Sequence, residues 1–136
     1  NPLSLITIVL AFRSLSLSAG PADVQAQIAV LQRPGADLHD HARACQILGE
    51  IGTPEAVPAL AALLADPQLS AYARSGLEGI PDPSASAALR AALPKLKGNL
   101  LVGVINSLGV LRDPKSVAAL TRLSGDANTD LVFHQT

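Results

Sequence analysis

Apolar residues at Ala44, Ile47, Leu48 and Ile51 recur at i, i+3, i+4 and i+7, which places them on one stripe of an amphipathic helix. Asp37 is a good N-cap for that helix, and Asp40, three residues on, suits its positive end. Gly52 fits the C-terminal break. Thr53-Pro54 then restarts a helix, with Thr as N-cap and Pro at the first position, where its missing N–H costs nothing. This second helix is expected from Pro54 to about Ala65, with Val57, Leu60, Leu63 and Leu64 on its inner stripe. Pro58 falls in its first turn or just past it, where the lost hydrogen bond is partly one that a helix start lacks anyway.

The pair repeats. LGEIGTPEAVPALAALL (Leu48 to Leu64) returns as LEGIPDPSASAALRAAL (Leu77 to Leu93) after 29 residues, and as LGVLRDPKSVAALTRLS (Leu108 to Ser124) after another 31. The copies share Leu48/Leu77/Leu108, Ile51/Ile80/Leu111, Pro54/Pro83/Pro114, Ala59/Ala88/Ala119 and Leu60/Leu89/Leu120. Self-similarity at this period is the signature of a solenoid. Asp82-Pro83 and Asp113-Pro114 repeat the capped restart. Asp66-Pro67 opens the next outer helix, up to Ile80, and Leu101 to Leu111 forms the third. Residues 83–97 make the middle second helix, with Pro94 kinking or ending it, and Gly98-Asn99 marks a turn. Pro114 to Leu123 completes the third pair. In the middle copy Gly76 takes the place of Ile47, for closer packing or a shallower core, and Ser86 replaces Val57.

At the front, PLSLITIVLAF (residues 2–12) is an apolar run followed by Arg13 and the small-residue stretch SLSLSAGPA. It is too short to span a bilayer and suits the h-region of a secretory signal, with cleavage after Gly20 or Ala22. The expected organisation is a signal over 1–22 and a repeat domain over 23–136. The domain comprises a partial cap at 23–36, repeats at about 37–65, 66–97 and 98–125, and a truncated repeat at 126–136. The cap is a helix over Ala22 to Arg33 with Val24, Ile28 and Leu31 on one face, stopped by Pro34-Gly35. No membrane span is expected after signal removal.

Composition narrows the chemistry. Aromatic residues make up 2% of the chain and net charge is −1. There is little to stack on a base or a sugar, and no electrostatic case for nucleic acid. One cysteine rules out an internal disulfide and any CxxC site. His39, His41 and Cys45 are the metal-like cluster, with His41 and Cys45 at i, i+4. A structural zinc needs further ligands, and Asp37 and Asp40 alone are near in sequence. The expected state is a half-buried thiol beside two solvated histidines. No GxSxG, GxGxxG, Walker loop or HExxH occurs, and Asp37/Asp40 and Glu50/Glu55 fit helix-start and surface roles. Arg90, Lys95 and Lys97 form the densest basic patch and suit a helix end. No catalytic residue, cofactor or metal is assigned.

A helix pair with a sharp Asp/Thr-Pro restart and a leucine-rich second helix resembles the HEAT family. The 29–31 spacing is similar to its short bacterial form, the PBS-lyase HEAT-like repeat. The residues that carry the likeness are ARACQILGEIGTPEAVPALAALLAD at 42–66 and LLVGVINSLGVLRDPKSVAALTRLSGD at 100–126. The resemblance implies an all-α, right-handed α-solenoid of antiparallel helix pairs, a HEAT-like or armadillo-type superhelix. With the leader, it implies the N-terminal part of an exported bacterial protein, periplasmic or in the cell envelope. Its function would be a non-catalytic scaffold binding a protein partner or peptide segment. The alternatives are a bilin-lyase-like enzyme, or a regulatory or spacer segment of a longer exported redox protein. In that family second helices line the concave face. Their outward rows here are Glu55/Ser84/Lys115, Ala59/Ala88/Ala119 and Ala62/Ala91/Arg122, an alanine floor edged by Glu55, Lys95, Lys115 and Arg122.

Overall fold

The computed structural model describes residues 21–124, and no strand occurs among them. The apolar leader over 2–12 and the truncated repeat at 126–136 lie outside the described residues. Seven α-helices follow in order: α1 (Pro21–Gln32), α2 (Leu38–Ile51), α3 (Val57–Ala61), α4 (Ser70–Glu78), α5 (Pro83–Ala92), α6 (Gly98–Val110) and α7 (Ser116–Ser124). Turns of 3₁₀ helix over Pro54–Ala56 and Leu93–Lys95 precede α3 and follow α5. Helices α2, α4 and α6 pack in sequence as one layer. Helices α1, α3 and α5 pack in sequence as the second, which α7 joins through the 3₁₀ turn after α5. The core runs between the layers. This is the expected solenoid of helix pairs, with α1 packed on the first pair.

Most boundaries follow local chemistry. Asp37 accepts a hydrogen bond from the Asp40 amide at 2.8 Å, and Gly52, at φ +75°, closes α2 with its amide on the Leu48 carbonyl. Asp82 accepts from the Ser84 hydroxyl at 2.6 Å and its amide at 2.9 Å, and these bonds, the hydroxyl first, hold the Asp82 carboxyl below its ordinary pKa.

Thr53 departs from the expected cap. Its side chain makes no capping bond, because the Ala56 amide bonds to the Thr53 carbonyl in a 3₁₀ turn instead. The second helix is also shorter than expected. After Ala61 the Leu63 and Leu64 amides bond three residues back, to Leu60 and Ala61, so the segment tightens before Pro67 excludes α geometry at Asp66. α4 begins at Ser70 rather than at Asp66, whose carboxylate accepts from the Gln68 and Leu69 amides in a turn. α6 begins at Gly98, which takes φ +58°, so Gly98-Asn99 are its first residues and not a turn before it.

Equivalent leucines occupy equivalent depths. Leu48, Leu77 and Leu108 are buried, as are Leu60 and Leu89. Leu120 corrects the pattern: it is half-buried against the core, and Leu123 takes the inward position. The physical reason is that α7 meets the second layer through the 3₁₀ turn after α5 rather than along α5 itself. The same looser seating leaves Val117 67% exposed where Val57 is 6% exposed.

Gly76 resolves towards closer packing. A Cβ on Gly76 would sit 3.0 Å from the Cys45 carbonyl oxygen and 3.1 Å from Leu60 Cδ2. A Cβ on Gly49 would sit 3.0 Å from Gly76 Cα, and one on Gly79 only 2.6 Å from the Gly49 carbonyl oxygen. The backbones of α2 and α4 therefore meet with no side chain between them.

Cys45 lies beneath that crossing and is fully buried, not half-buried. Burial pushes its thiol from the ordinary 9.0 up to about 11, against a smaller opposing pull from a backbone hydrogen bond. The folded chain keeps the thiol proton where the unfolded chain releases it. This contribution to stability is complete below pH 9.0 and is lost as pH rises towards about 11. Its full span corresponds to about 2–3 kcal/mol. Urea unfolding of the parent and of Cys45→Ala across that range should give curves that converge at alkaline pH. Parallel curves would show that the thiol does not carry the effect.

Candidate docking face

Among the described residues, the second-helix layer carries shallow clefts between successive helices. The first, about 190 Å³, lies between α3 and α5 and is lined by Ala61, Leu64, Ala65, Ala88, Ala91, Ala92, Lys95 and Leu96. The second lies between α5 and α7. It is about 300 Å³ and is lined by Arg90, Leu93, Pro94, Ala119, Arg122 and Leu123. A separate polar hollow, about 360 Å³, lies between α5 and the turn before α7 and is lined by Pro83, Ser86, Arg90, Leu111, Arg112, Asp113, Pro114 and Lys115. Arg90 lines both and is where they adjoin. Small side chains open these spaces: alanine floors the first cleft, and Ser86 stands in the polar hollow where the first copy has Val57.

The expected face is only partly assembled. Glu55, Ala62, Ala91, Lys95, Lys115 and Arg122 are exposed. Ala88 and Ala119 are half-buried on cleft walls. Ala59 is a correction: it is buried, because α3 is flanked by α1 on one side and α5 on the other. The alanine row is thus a set of cleft walls and one core residue, not a flat floor.

Arg90 forms an ion pair with Asp113, tying α5 to the turn before α7. The Asp113 carboxyl side chain is 7% exposed. Its backbone carbonyl also accepts from the Ser116 hydroxyl at 2.7 Å, so the residue fixes the start of α7. The sequence pattern places Arg90 with Lys95 and Lys97 in a basic patch at a helix end. It is instead a link between repeats, and Lys95 and Lys97 remain exposed.

A second polar link, which the sequence pattern does not predict, joins α4 and α6. Arg74 Nη1 donates to the Gly103 carbonyl at 3.1 Å and to Ser107 Oγ at 3.3 Å, and Ser107 donates to Glu78 at 2.6 Å. Ser107 is fully buried, so α4 and α6 are joined through hydrogen bonds within the layer. The available signal was a charge at a core register, since Arg74 aligns with Cys45 and Ile105 across the copies.

The His/Cys cluster does not converge. Cys45 enters the core, while His39 lines an outer groove of about 480 Å³ with Ala42, Arg43, Gln46, Tyr72 and Ser75. Among the described residues, no three His, Cys, Asp or Glu side chains gather to hold a metal. Nor is any described helix long and apolar enough to cross a membrane.

Residues 42–66 match the family model described as PBS lyase HEAT-like repeat. The fold is a HEAT-like solenoid. The matched stretch runs from within α2, through α3, to Asp66, and so covers most of one helix pair. No curated protein matches the chain. In HEAT terms α2, α4 and α6 are first helices, and α3, α5 and α7 are second helices.

Proposed function

We propose that this chain is a non-catalytic scaffold that binds a protein partner or peptide segment along its second-helix layer. The observation that carries the reading is the pair of apolar clefts between successive second helices, each edged by cations. Clefts of this form accept a helix or extended segment by shape, while edge charges set register and rate. Tyr72, the one aromatic side chain among the described residues, lines the outer groove instead. A bilin site calls for aromatic walls, and no aromatic side chain lines the second-layer clefts. The reading includes export to the periplasm or cell envelope, which rests on the apolar run at 2–12 and the small residues after it.

Ala91→Trp tests the docking role, because Ala91 is exposed on a cleft wall and a bulky ring there fills the cleft without entering the core. Thermal stability should stay within about 2 °C of the parent, in keeping with a surface change. A partner that co-purifies with the parent in fixed ratio from the cell envelope should be lost. Retention of that partner at the parent's ratio would refute docking in this cleft. N-terminal sequencing of the same preparation should begin near Asp23. An intact 2–12 segment in a soluble cytoplasmic pool would refute export.

A further inference from the structure

Charge is divided along the stack. Residues 23–66 carry six carboxylates and two cations, whereas residues 67–124 carry three carboxylates and seven cations, so net charges of −4 and +4 face opposite ends. Two of the seven cations are used internally: Arg74 bonds Gly103 and Ser107, and Arg90 bonds Asp113. Lys95, Lys97, Arg112, Lys115 and Arg122 are exposed and make no ion pair with a described residue.

Arg122 lines the cleft between α5 and α7, and Arg112 and Lys115 line the hollow that adjoins it at Arg90. Asp113 is the one carboxylate on its walls, and Arg90 already engages it. The exposed Pro94 and half-buried Ala119 give the α5/α7 cleft apolar surface, above the buried Leu93 and Leu123. The α5/α7 cleft and the hollow beside it therefore offer positive charge that is unpaired among the described residues, next to apolar surface, in a chain whose net charge is only −1.

Building on the docking reading above, we infer that the α5/α7 cleft, with the hollow beside it, binds an acidic, amphipathic segment of a partner protein. Its apolar side chains rest on Pro94 and Ala119, and its carboxylates meet Arg112, Lys115 and Arg122. Nucleic acid is the poorer match, since single strands are held largely by stacking on aromatic side chains and the cleft has none. A purely electrostatic ligand would leave the apolar surface unused. Complementary charge at the cleft edge speeds and orients encounter, and its effect weakens as salt screens it.

The test is fluorescence anisotropy with the whole chain and three short labelled peptides that alternate Leu with Glu, Gln or Lys, plus polyglutamate and a single-stranded oligonucleotide. The Glu–Leu peptide should bind tightest, and more weakly as salt rises. Lys115→Glu with Arg122→Glu should weaken it about tenfold or more, the effect of reversing two edge charges. Lys97→Glu, on neither cleft wall, should change it by about twofold or less. Circular dichroism establishes that each variant is folded. Equal binding of polyglutamate or the oligonucleotide, or an equal loss with Lys97→Glu, would reduce the site to unspecific charge and overturn the inference. Preferred binding of the Gln–Leu or Lys–Leu peptide, abolished by Ala119→Trp, would overturn the acidic class and leave the docking reading standing. No binding by any peptide would overturn the inference, while the partner lost on Ala91→Trp would still report on docking itself.

Discussion

Leu89→Ala should lower the unfolding free energy by about 2–5 kcal/mol, as removal of a fully buried leucine from a tight core does. Leu89 is fully buried on α5, the middle second helix, which packs against both α3 and α6. In an array stabilised mainly by nearest-neighbour contacts, a loss at the centre weakens the coupling on both sides. Against a typical domain stability of about 5–15 kcal/mol, the upper part of that range threatens the whole fold. Leu120→Ala, at the equivalent but half-buried position, should cost roughly half as much or less. Urea denaturation of the two variants side by side checks the register. Equal losses, or a loss of only tenths of a kcal/mol at Leu89, would show that the copies are aligned wrongly.

Gly79→Ala should also destabilise, although the added group is a single methyl on an exposed residue. The new Cβ would stand 2.6 Å from the Gly49 carbonyl oxygen and 3.0 Å from the Gly49 carbonyl carbon. Both are backbone atoms of α2, so relief requires the helices to move apart and not merely a rotamer change. Overpacking of this sort costs about 1–3 kcal/mol. The reduced freedom of the unfolded chain returns about 0.4–1 kcal/mol, because Gly79 already has helical backbone angles that alanine accepts. A net loss of about 1–2 kcal/mol in thermal or urea unfolding is expected. A gain in stability would mean that α2 and α4 do not meet backbone to backbone.

These two residues also mark what the sequence could and could not convey. Leu60 and Leu89 were legible because a repeated leucine at a fixed offset, within an amphipathic stripe, has one sensible place in a stack. Gly76 was legible as a departure from Ile47, but the pattern allowed either a gap or a close approach. Choosing between them required the neighbouring backbone, and Gly49 and Gly79 supplied the answer. Caps show the same division. Asp37 and Asp82 act as read, whereas Thr53 does not, because the 3₁₀ turn at Pro54–Ala56 takes the amide that its hydroxyl would have met.

The face of the second helices was legible in outline and misread in detail. Spacing placed Ala59, Ala88 and Ala119 in one row, but a row on a helix surface does not reveal how closely its neighbours approach. Ala59 is covered while Ala88 and Ala119 wall the clefts. The Arg90–Asp113 pair and the Arg74–Ser107–Glu78 link were hidden for a related reason. Each joins residues 23 to 33 positions apart, and the relevant distances arise only when the repeats stack.

Site-specific photocrosslinking in the native cell reads the proposed docking on the second-helix layer directly. A photoreactive benzoylphenylalanine is placed at Ala91, on the cleft between α3 and α5, or at Tyr72, exposed on the outer groove. Irradiation should give a discrete protein adduct from position 91 and none from position 72. An adduct from position 72 with none from position 91 would put the partner on the opposite layer and contradict the account.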